Sequence, residues 1–283
     1  MRHDLSFSIV TPSFNQGAFI GEALESVHTQ SWKNTEHIVM DGGSTDGALD
    51  VLTRYSARHG WEHLRWKSEP DRGQSHALNK GFAAATGDIV GWLNSDDRYL
   101  PMCFEGVASA FEQHPDVDII YGDYRFVDEN GKAQRIRREI EFSQFVLLYH
   151  RVLYIPTTTT FFRRRVFDEG HFLDERLHFA LDAEFFVRLA RSGFRFQHLR
   201  ALLADFRFQP NSKTCSSPQK QIEEKRRVME DYSPLLRAMP WPAARRGIRS
   251  LLSSSAAALR YSEKLLRGCY LEERWSPRLR ARS

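Results

Sequence analysis

The chain has 283 residues, of which 41% are hydrophobic and 27% are charged. This composition is ordinary for a globular protein with a sizeable core, and it excludes a disordered or fibrous chain. The formal net charge is +4 and the pI is near 9.0. The excess of positive charge is concentrated at the end of the chain, where positions 245–282 contain ten arginine or lysine residues and only three glutamates.

The cysteines and the first residues indicate the compartment. Cys103, Cys215 and Cys269 stand far apart without a Cys-x-x-Cys pair, which argues against a disulfide framework or a structural zinc site. Charged residues follow Met1 where a signal peptide needs an apolar run, and no stretch is long enough to span a bilayer. We therefore expect a cytoplasmic protein, neither exported nor integral to a membrane.

Strand and helix patterns alternate through the first third. Short runs rich in branched and aromatic residues predict strands at 7–10, 37–40, 64–66, 89–93 and 119–121. Apolar residues at helical spacing follow the first two strands, from Phe19 to Val27 and from Val51 to Tyr55. This order predicts an α/β fold with a mostly parallel, Rossmann-like sheet flanked by helices.

The remaining chain is less regular. Residues 126–138 predict a hairpin, 182–191 an amphipathic helix closed by Gly193, and 194–208 one or two strands. Further helices are expected from Pro218 to about Tyr232 and over 245–267. We divide the chain into two halves of one domain, 1–123 and 124–234, followed by a basic, amphipathic helical tail, 235–283.

Four polar loops follow the predicted strands, at 11–17, 41–47, 70–73 and 94–97. The carboxyl ends of parallel strands meet at one edge of the sheet, which is where open α/β sheets bind ligands. One crevice could therefore collect all four loops.

The strongest local signal is a buried strand that ends in two adjacent carboxylates, Asp96 and Asp97. Such oxygens suit a hard divalent cation, Mn²⁺ or Mg²⁺, that keeps positions open for phosphate. The alternative is a turn with solvated charges.

Asp41 ends another strand, and its carboxylate could accept hydrogen bonds from a nucleobase edge, while the glycines after it let the backbone approach. The alternative there is an entry loop in which Ser44 or Thr45 caps the next helix.

Taken together, Val10-Thr-Pro-Ser-Phe-Asn15, Asp41-Gly-Gly-Ser-Thr-Asp46, the run from Asp71 to Gly81 and the run from Ala85 to Asp97 closely resemble the nucleotide-binding half of glycosyltransferase family 2. The resemblance covers about residues 6 to 210. It implies a GT-A fold, an inverting mechanism and a divalent cation bound through an Asp-x-Asp-type element.

The resemblance also implies roles for single residues. The loop from Thr11 to Asn15 would hold the nucleoside, Asp41 would contact the base with Asp71 nearby, and Asp96 would bind the cation. Asn94 stands at the first acidic position of the Asp-x-Asp element, so a ribose contact would be made by an amide and one negative charge is lost. The expected nucleotide-binding residues are Thr11, Pro12, Ser13, Asn15, Asp41, Asp71, Gly73, Asn79, Asn94, Ser95 and Lys213, and the expected metal ligands are Asp96 and Asp97.

The second half contains Asp182-Ala-Glu-Phe-Phe-Val-Arg-Leu189, which looks like the helix that carries the family's catalytic base. Asp182 would then deprotonate the acceptor hydroxyl, and Glu184 and Arg188, four residues apart, would form a supporting ion pair. The alternative for Asp182 is a charge favoured by the helix dipole. Since the Gln-x-x-Arg-Trp element of processive members is missing, we expect transfer of a single sugar.

Two further segments allow alternatives. Arg207, Ser212, Lys213 and Thr214 could close over the donor diphosphate, or form a plain surface loop. In the tail, apolar residues between Ile248 and Leu266 lie at helical spacing with arginines around them, which would suit peripheral contact with the inner face of an anionic membrane. A tail helix docked on the catalytic domain is the alternative. His76, His150 and His178 lack metal-ligand spacing and are expected to be structural.

The expected partners are a nucleotide diphosphate sugar, preferably a UDP-sugar, and a saccharide or lipid-linked acceptor, as in cell-surface glycan synthesis; nucleic acid is not expected. One rival is a sugar nucleotidylyltransferase, but the loop 11–17 lacks the basic residues that such enzymes place around pyrophosphate. The other rival is a catalytically inactive membrane-binding module.

Overall fold

Strands and helices alternate regularly at the start of the fold. The computed structural model describes residues 5–208 and 218–270. Its first elements are β1 (Phe7–Ser13), α1 (Ile20–His28), β2 (Thr35–Asp41), α2 (Ala48–Ser56), β3 (Leu64–Ser68), α3 (Gln74–Ala84) and β4 (Ile89–Trp92). The predicted strands of this region are present, and β1 and β2 extend into the loops that follow their predicted ends.

The second part contains shorter elements and a different pairing. It comprises β5 (Arg98–Tyr99), α4 (Cys103–Gln113), β6 (Ile119–Val127), β7 (Ala133–Arg137), α5 (Gln144–Tyr149), a 3₁₀ turn (Thr157–Thr159), β8 (Thr160–Arg163), α6 (Arg165–Asp168), α7 (Leu181–Arg191), β9 (Phe196–Arg207), α8 (Pro218–Tyr232), α9 (Pro234–Arg237) and α10 (Pro242–Leu266). The predicted hairpin is β6–β7, and the predicted helices are α7, α8 and α10.

One sheet joins the two predicted halves, with strand order β3-β2-β1-β4-β8-β6-β9-β5 and with β7 on β6. Strands β3, β2, β1 and β4 pair in parallel with one another, and β6 pairs in parallel with β9, whereas β5 is antiparallel to β9. Strand β8 is antiparallel to both β4 and β6, between which it lies. The predicted boundary at residue 123 falls inside β6, so the two halves share the sheet directly.

The core lies on both faces of the sheet. Successive residues of a strand point to opposite faces, so Val10 and Val90 join one cluster while Ile9 and Ile89 join the other. Helices α3, α5 and α7 cover the first face, and α1 and α4 cover the second. Burial on both faces explains the uninterrupted apolar run of β4, whereas the edge strand β3 alternates, with Arg65 and Lys67 exposed.

Helix α10 is docked on the domain through one face. Ser253, Ala256, Arg260 and Lys264 are buried, and Ile248 and Leu252 pack against the first core cluster. The basic side chains expected around an apolar stripe are held by intramolecular partners instead: Arg249 by Glu230, Arg260 and Lys264 by Glu139, and Arg267 by Glu263. The other face carries Leu251, Leu259, Leu265 and Leu266, all exposed.

No helix in residues 5–208 and 218–270 combines the length and the apolar character that crossing a membrane requires. Cys103 and Cys269 are buried free thiols, whereas Cys215 lies outside the described residues.

Candidate active site

The loops after the parallel strands meet at one edge of the sheet. The register pairs Ser13 of β1 with Asp41 of β2, and Asp41 with Ser68 of β3. These three residues end their strands side by side, and the loop after β4 follows at the next position in the sheet. The crevice expected from the sequence is therefore built by neighbouring strands.

Asp41 organises its own loop. One carboxylate oxygen accepts hydrogen bonds from the backbone N–H groups of Gly43 and Ser44, at 3.0 and 2.8 Å, and from Ser68 Oγ at 2.7 Å. Burial raises the pKa of Asp41, but hydrogen bonds from Ser44 and Ser68 outweigh it and hold the pKa below its usual value. The alternative that Ser44 or Thr45 caps α2 is wrong, because Gly47 occupies the N-cap without a side-chain bond.

The first two loops are fastened to each other by Asn15. Its backbone N–H donates to Ser44 Oγ at 2.8 Å, and its side-chain oxygen accepts from the Thr45 N–H at 2.9 Å. Thr11 is fully buried, with its hydroxyl 2.9 Å from Nε2 of His37. Pro12 and Ser13 are also buried. Of the predicted nucleoside-binding residues in this loop, Asn15 is thus the exposed one.

Phe14, Gly42 and Asp71 come together where a flat base could lie. A β-carbon placed on Gly42 would stand 2.6 Å from Asp71 Oδ2 and 3.3 Å from a ring carbon of Phe14. The Phe14 ring is 60% exposed, which is unusual for phenylalanine. Sequence reasoning did not single out Phe14, although an aromatic residue in a polar loop was the available signal.

The two adjacent carboxylates after β4 have different surroundings. Asp97 is 2% exposed and accepts hydrogen bonds from the Arg207 N–H at 2.9 Å, from Asn94 Nδ2 at 3.1 Å and from the Thr158 hydroxyl. Burial, followed by the charge of Asp96, raises the pKa of Asp97 to about 8. Asp96 is half-buried. The geometry favours Asp96 over Asp97 as a metal ligand, since Asp97 fastens the loop from inside.

Arg207 is an internal clamp and does not belong to a mobile loop. It ends β9 with 2% exposure, and its guanidinium donates to the Asp96 carbonyl at 2.8 Å and to Glu22 at 2.7 Å. The expectation that Arg207 closes over a diphosphate is wrong for this reason. Ser212, Lys213 and Thr214 lie outside the described residues.

Helix α3 connects the donor-side loops with the segment that leads to α7. At its start, Gln74 Nε2 donates to Asn94 Oδ1 at 3.2 Å, and a β-carbon on Gly73 would stand 4.0 Å from His178 Nδ1. Asn79 is directed elsewhere: its amide bonds both the N–H and the carbonyl of Leu173, at 2.9 and 3.0 Å. Asn79 therefore holds the chain before α7, which disfavours the predicted nucleotide contact.

Asp182 lies in the first turn of α7, half-buried, and its carboxylate accepts from the Ala183 N–H at 2.7 Å. The predicted ion pair between Glu184 and Arg188 is present at 2.8 Å. Glu224 of α8, which sequence reasoning missed, accepts from the N–H groups of Phe179 and Ala180 at 2.7 and 2.9 Å. Helix α8 therefore fixes the segment that presents Asp182.

A cation at this site would have few protein ligands. Within 5–208 and 218–270, no three histidine, cysteine or acidic side chains form a metal-binding group. Mg²⁺ in nucleotide sites is commonly held by one or two carboxylates, with phosphate oxygens and water completing its shell. A half-buried carboxylate in the turn after β4, as at Asp96, fits that pattern.

Comparison with solved structures identifies the fold. S. aureus TarS 1–349 in complex with UDP-GlcNAc aligns with a TM-score of 0.65 at 19% identity, over 95% of this chain and 76% of the TarS 1–349 chain. The mannosyltransferase PcManGT from Pyrobaculum calidifontis, in complex with GDP-Man and Mn²⁺, aligns with a TM-score of 0.58 at 16% identity, over 96% of this chain and 88% of that one. The sheet and its helices therefore have the GT-A fold of glycosyltransferases.

Comparison of the sequence with models of protein families identifies the family. Residues 8–170 match the model of glycosyl transferase family 2, and the chain belongs to that family. Glycosyltransferase EpsJ of Bacillus subtilis is 27% identical over 217 residues, which cover 73% of this chain and 62% of EpsJ. A PGL/p-HBAD biosynthesis glycosyltransferase of Mycobacterium tuberculosis is 34% identical over 118 residues, which cover 41% of this chain and 46% of the relative. The chain thus spans about half of the length of such relatives.

Proposed function

We propose that this protein transfers one sugar from a nucleotide diphosphate sugar, preferably a UDP-sugar, to a hydroxyl group of a saccharide or lipid-linked acceptor, with inversion at the anomeric carbon. The observation that carries the proposal is a series of close approaches. Gly42 lies beside the Asp71 carboxylate, which accepts from the Gly73 N–H at 2.7 Å, and a β-carbon on Gly73 would stand 4.0 Å from Nδ1 of His178, four residues before Asp182. These approaches support an arrangement in which the donor-side loops and Asp182 share one crevice. The nucleotide sugars in the TarS and PcManGT complexes support the donor class.

The donor is assigned to the loops after β1, β2 and β4. The exposed ring of Phe14 offers an apolar face to a nucleobase, with Asp71 at its side. Asn94 is assigned to the ribose, and the hydrogen bonds that its side-chain oxygen accepts from Trp92 Nε1 at 3.0 Å and from Gln74 Nε2 at 3.2 Å orient its amide. Asp96 would hold Mn²⁺ or Mg²⁺, which when bound supplies positive charge for the leaving diphosphate.

The acceptor is assigned to the side of α7. In a direct displacement, the Asp182 carboxylate removes the proton from the acceptor hydroxyl while the oxygen of that hydroxyl attacks the anomeric carbon. The bond between that carbon and the diphosphate oxygen breaks, and its electrons leave with the nucleoside diphosphate. The backbone bonds from Glu224 hold Asp182 in place during this step.

Exchange of Asp182→Asn tests the proposal. The amide keeps the shape of the side chain but cannot accept the proton at neutral pH, so we expect transfer to fall by at least about a hundredfold. Nucleotide binding should change by less than about threefold, because Asp182 lies on the acceptor side. Product formation with a panel of nucleotide sugars and Mn²⁺, together with calorimetric binding of UDP, measures the two quantities. Unchanged turnover would remove Asp182 from the mechanism.

The exposed leucines of α10 support a further element of the proposal, peripheral contact with a membrane that carries a lipid-linked acceptor. Leu251, Leu259 and Leu266 are spaced by eight and seven residues, so they lie along one face of the helix. Their exposed fractions are 66%, 47% and 87%. An apolar row of this kind can insert into the outer part of a bilayer.

A further inference from the structure

Four basic side chains from the end of α5, from α8 and from α10 gather in one place. His150 follows α5, Lys225 lies on α8, and Arg260 and Lys264 lie on α10. Lys225 follows Glu224, whose carboxylate accepts from the backbone N–H groups of Phe179 and Ala180 shortly before Asp182. The charges of Asp182 and Arg260 both act on Lys225. His150 Nδ1 stands 3.4 Å from the Arg260 guanidinium. We refer to these four residues as the basic cluster.

The basic cluster contains more positive charge than its carboxylate partner neutralises. Glu139, which is fully buried, accepts from Arg260 at 2.8 and 3.0 Å and from Lys264 at 3.2 Å. One carboxylate therefore serves two buried cations. The carboxylate that attracts Lys225 is Asp182, the proposed base. Buried charges of one sign with incomplete pairing favour the binding of an opposite charge.

Arg260 retains an unused donor inside the cluster. The residue is 6% exposed, and its Nε has no hydrogen-bond partner among the described residues. Lys264 is 2% exposed and His150 is 4% exposed. A buried guanidinium N–H without an acceptor is uncommon in folded proteins, and a bound oxyanion is one way to satisfy it.

The electrostatic effects within the cluster agree with this geometry. Burial, aided by Arg260, lowers the pKa of Lys225 to about 7 despite the opposing charge of Asp182. Burial also lowers the pKa of His150, and the charges of Arg260, Lys225 and Lys264 add to that effect. The basic side chains thus disfavour one another's charged forms.

We propose that the basic cluster binds an anionic group, a phosphate or a carboxylate, that the acceptor carries close to the hydroxyl that receives the sugar. This inference rests on the proposed function, since it makes Asp182 the reference point for the acceptor. The donor diphosphate is assigned to Asp96 after β4, whereas the cluster is built by α5, α8 and α10. An anion held there orients the acceptor and draws Lys225 away from Asp182, which leaves that carboxylate available as a base.

Binding of inorganic phosphate tests the proposal. The full chain is saturated with UDP and Mn²⁺, so that the donor site is filled, and phosphate is then titrated by calorimetry. Saturable binding is expected, and Lys225→Met should weaken it roughly tenfold, the effect of losing one charge-assisted hydrogen bond. Lys220→Met, which removes an exposed lysine of the same helix, is the matched control and should bind phosphate like the parent chain.

The remaining arms separate the possible sources of the anion. Glucose 1-phosphate and glucuronate, compared with glucose, show whether a phosphate or a carboxylate on a sugar is preferred; equal binding of all three sugars contradicts the proposal. Phosphate binding that UDP abolishes would assign the cluster to the donor diphosphate and overturn it. Should Lys225→Met fail to fold, NMR titration of His150 in the parent chain decides, because a bound anion must raise the pKa of His150.

The same data distinguish this inference from the proposed function. If UDP binds and phosphate does not, the acceptor inference fails while the glycosyltransferase proposal stands. If UDP and the other nucleotides do not bind, the proposed function itself fails, whatever the result with phosphate.

Discussion

At the residue scale, His37 predicts how stability depends on pH. The imidazole is fully buried in β2, and burial, with a contribution from His63, lowers its pKa to about 3. An unfolded chain binds a proton at His37 near pH 6.5, whereas the folded chain leaves it neutral. The stability that His37 contributes is therefore complete above pH 6.5 and is lost as the pH falls towards 3.

We expect the free energy of unfolding to fall by up to about 1.4 kcal/mol per pH unit below 6.5 on account of His37 alone. His37→Gln cannot titrate, so its urea-unfolding curves between pH 4.5 and 6.5 should show a shallower slope. His28 and His63, whose pKa values are also lowered chiefly by burial, should retain part of the slope in both proteins. Equal slopes would show that His37 accepts a proton in the folded chain.

Gly42 predicts how much UDP affinity is lost when a side chain is added in the proposed nucleobase site. A β-carbon there would lie 2.6 Å from the Asp71 carboxylate, so Gly42→Ala must displace Asp71. We expect UDP affinity to fall by roughly tenfold or more, with a loss of stability below about 1 kcal/mol, because the neighbouring side chains can move. Gly21→Ala on α1, whose nearest contact would be an ordinary 3.5 Å to Tyr55, is the control. Calorimetry measures the UDP affinity, and an unchanged value would place the nucleobase elsewhere.

At the scale of elements, α8 acts on α7 through Glu224. Its carboxylate accepts from three successive backbone N–H groups, those of His178, Phe179 and Ala180, at 2.7 to 3.3 Å. These donors precede α7, so the carboxylate also lies at the positive end of that helix.

Glu224→Ala should lower the free energy of unfolding by about 1–3 kcal/mol, because the partly buried N–H groups of Phe179 and Ala180 lose a charged acceptor. It should also lower kcat more than it affects UDP binding, since the segment it holds leads to Asp182. Glu223→Ala, which changes the exposed residue next to Glu224, is the control and should alter neither quantity. Urea melts and initial rates measure both effects, and a variant that loses stability but keeps kcat would make Glu224 purely structural.

The elements also show what local sequence patterns could predict. The apolar residues of β1, β2 and β4 mark buried strands, and the spacing of Glu184 and Arg188 was sufficient for their ion pair. Strand β8 gave no comparable signal, because its antiparallel place between β4 and β6 depends on distant partners. Arg207 was misassigned for the same reason: it binds Asp97, 110 positions earlier in the chain.

At the scale of the whole molecule, the membrane contact can be tested only with α10 kept in place. Removing the helix would leave the fully buried Glu139 without Arg260 and Lys264, a change that destabilises proteins by about 3–5 kcal/mol. The combined change Leu251→Ser, Leu259→Ser and Leu266→Ser alters only exposed positions.

We expect the triple serine variant to sediment with anionic liposomes at least about tenfold less than the parent chain, because each buried methylene contributes about 0.8 kcal/mol. Leu235→Ser, which changes an exposed leucine of α9, should sediment like the parent. Equal sedimentation of the triple variant and the parent would assign the leucine row to another role.

The shared sheet also limits how this chain could be recombined with its relatives. A chimaera joined at residue 123 would take the first half of β6 from one parent and the second half from the other, although β6 is hydrogen-bonded to β8, β9 and β7. A joint between α4 and β6, at 114–118, leaves every strand intact, but β8 from one parent would then have to pair with β4 from the other. Acceptor preference should therefore be transplanted more readily as the segment from α8 to α10, which contributes no strand to the sheet, than as half a protein.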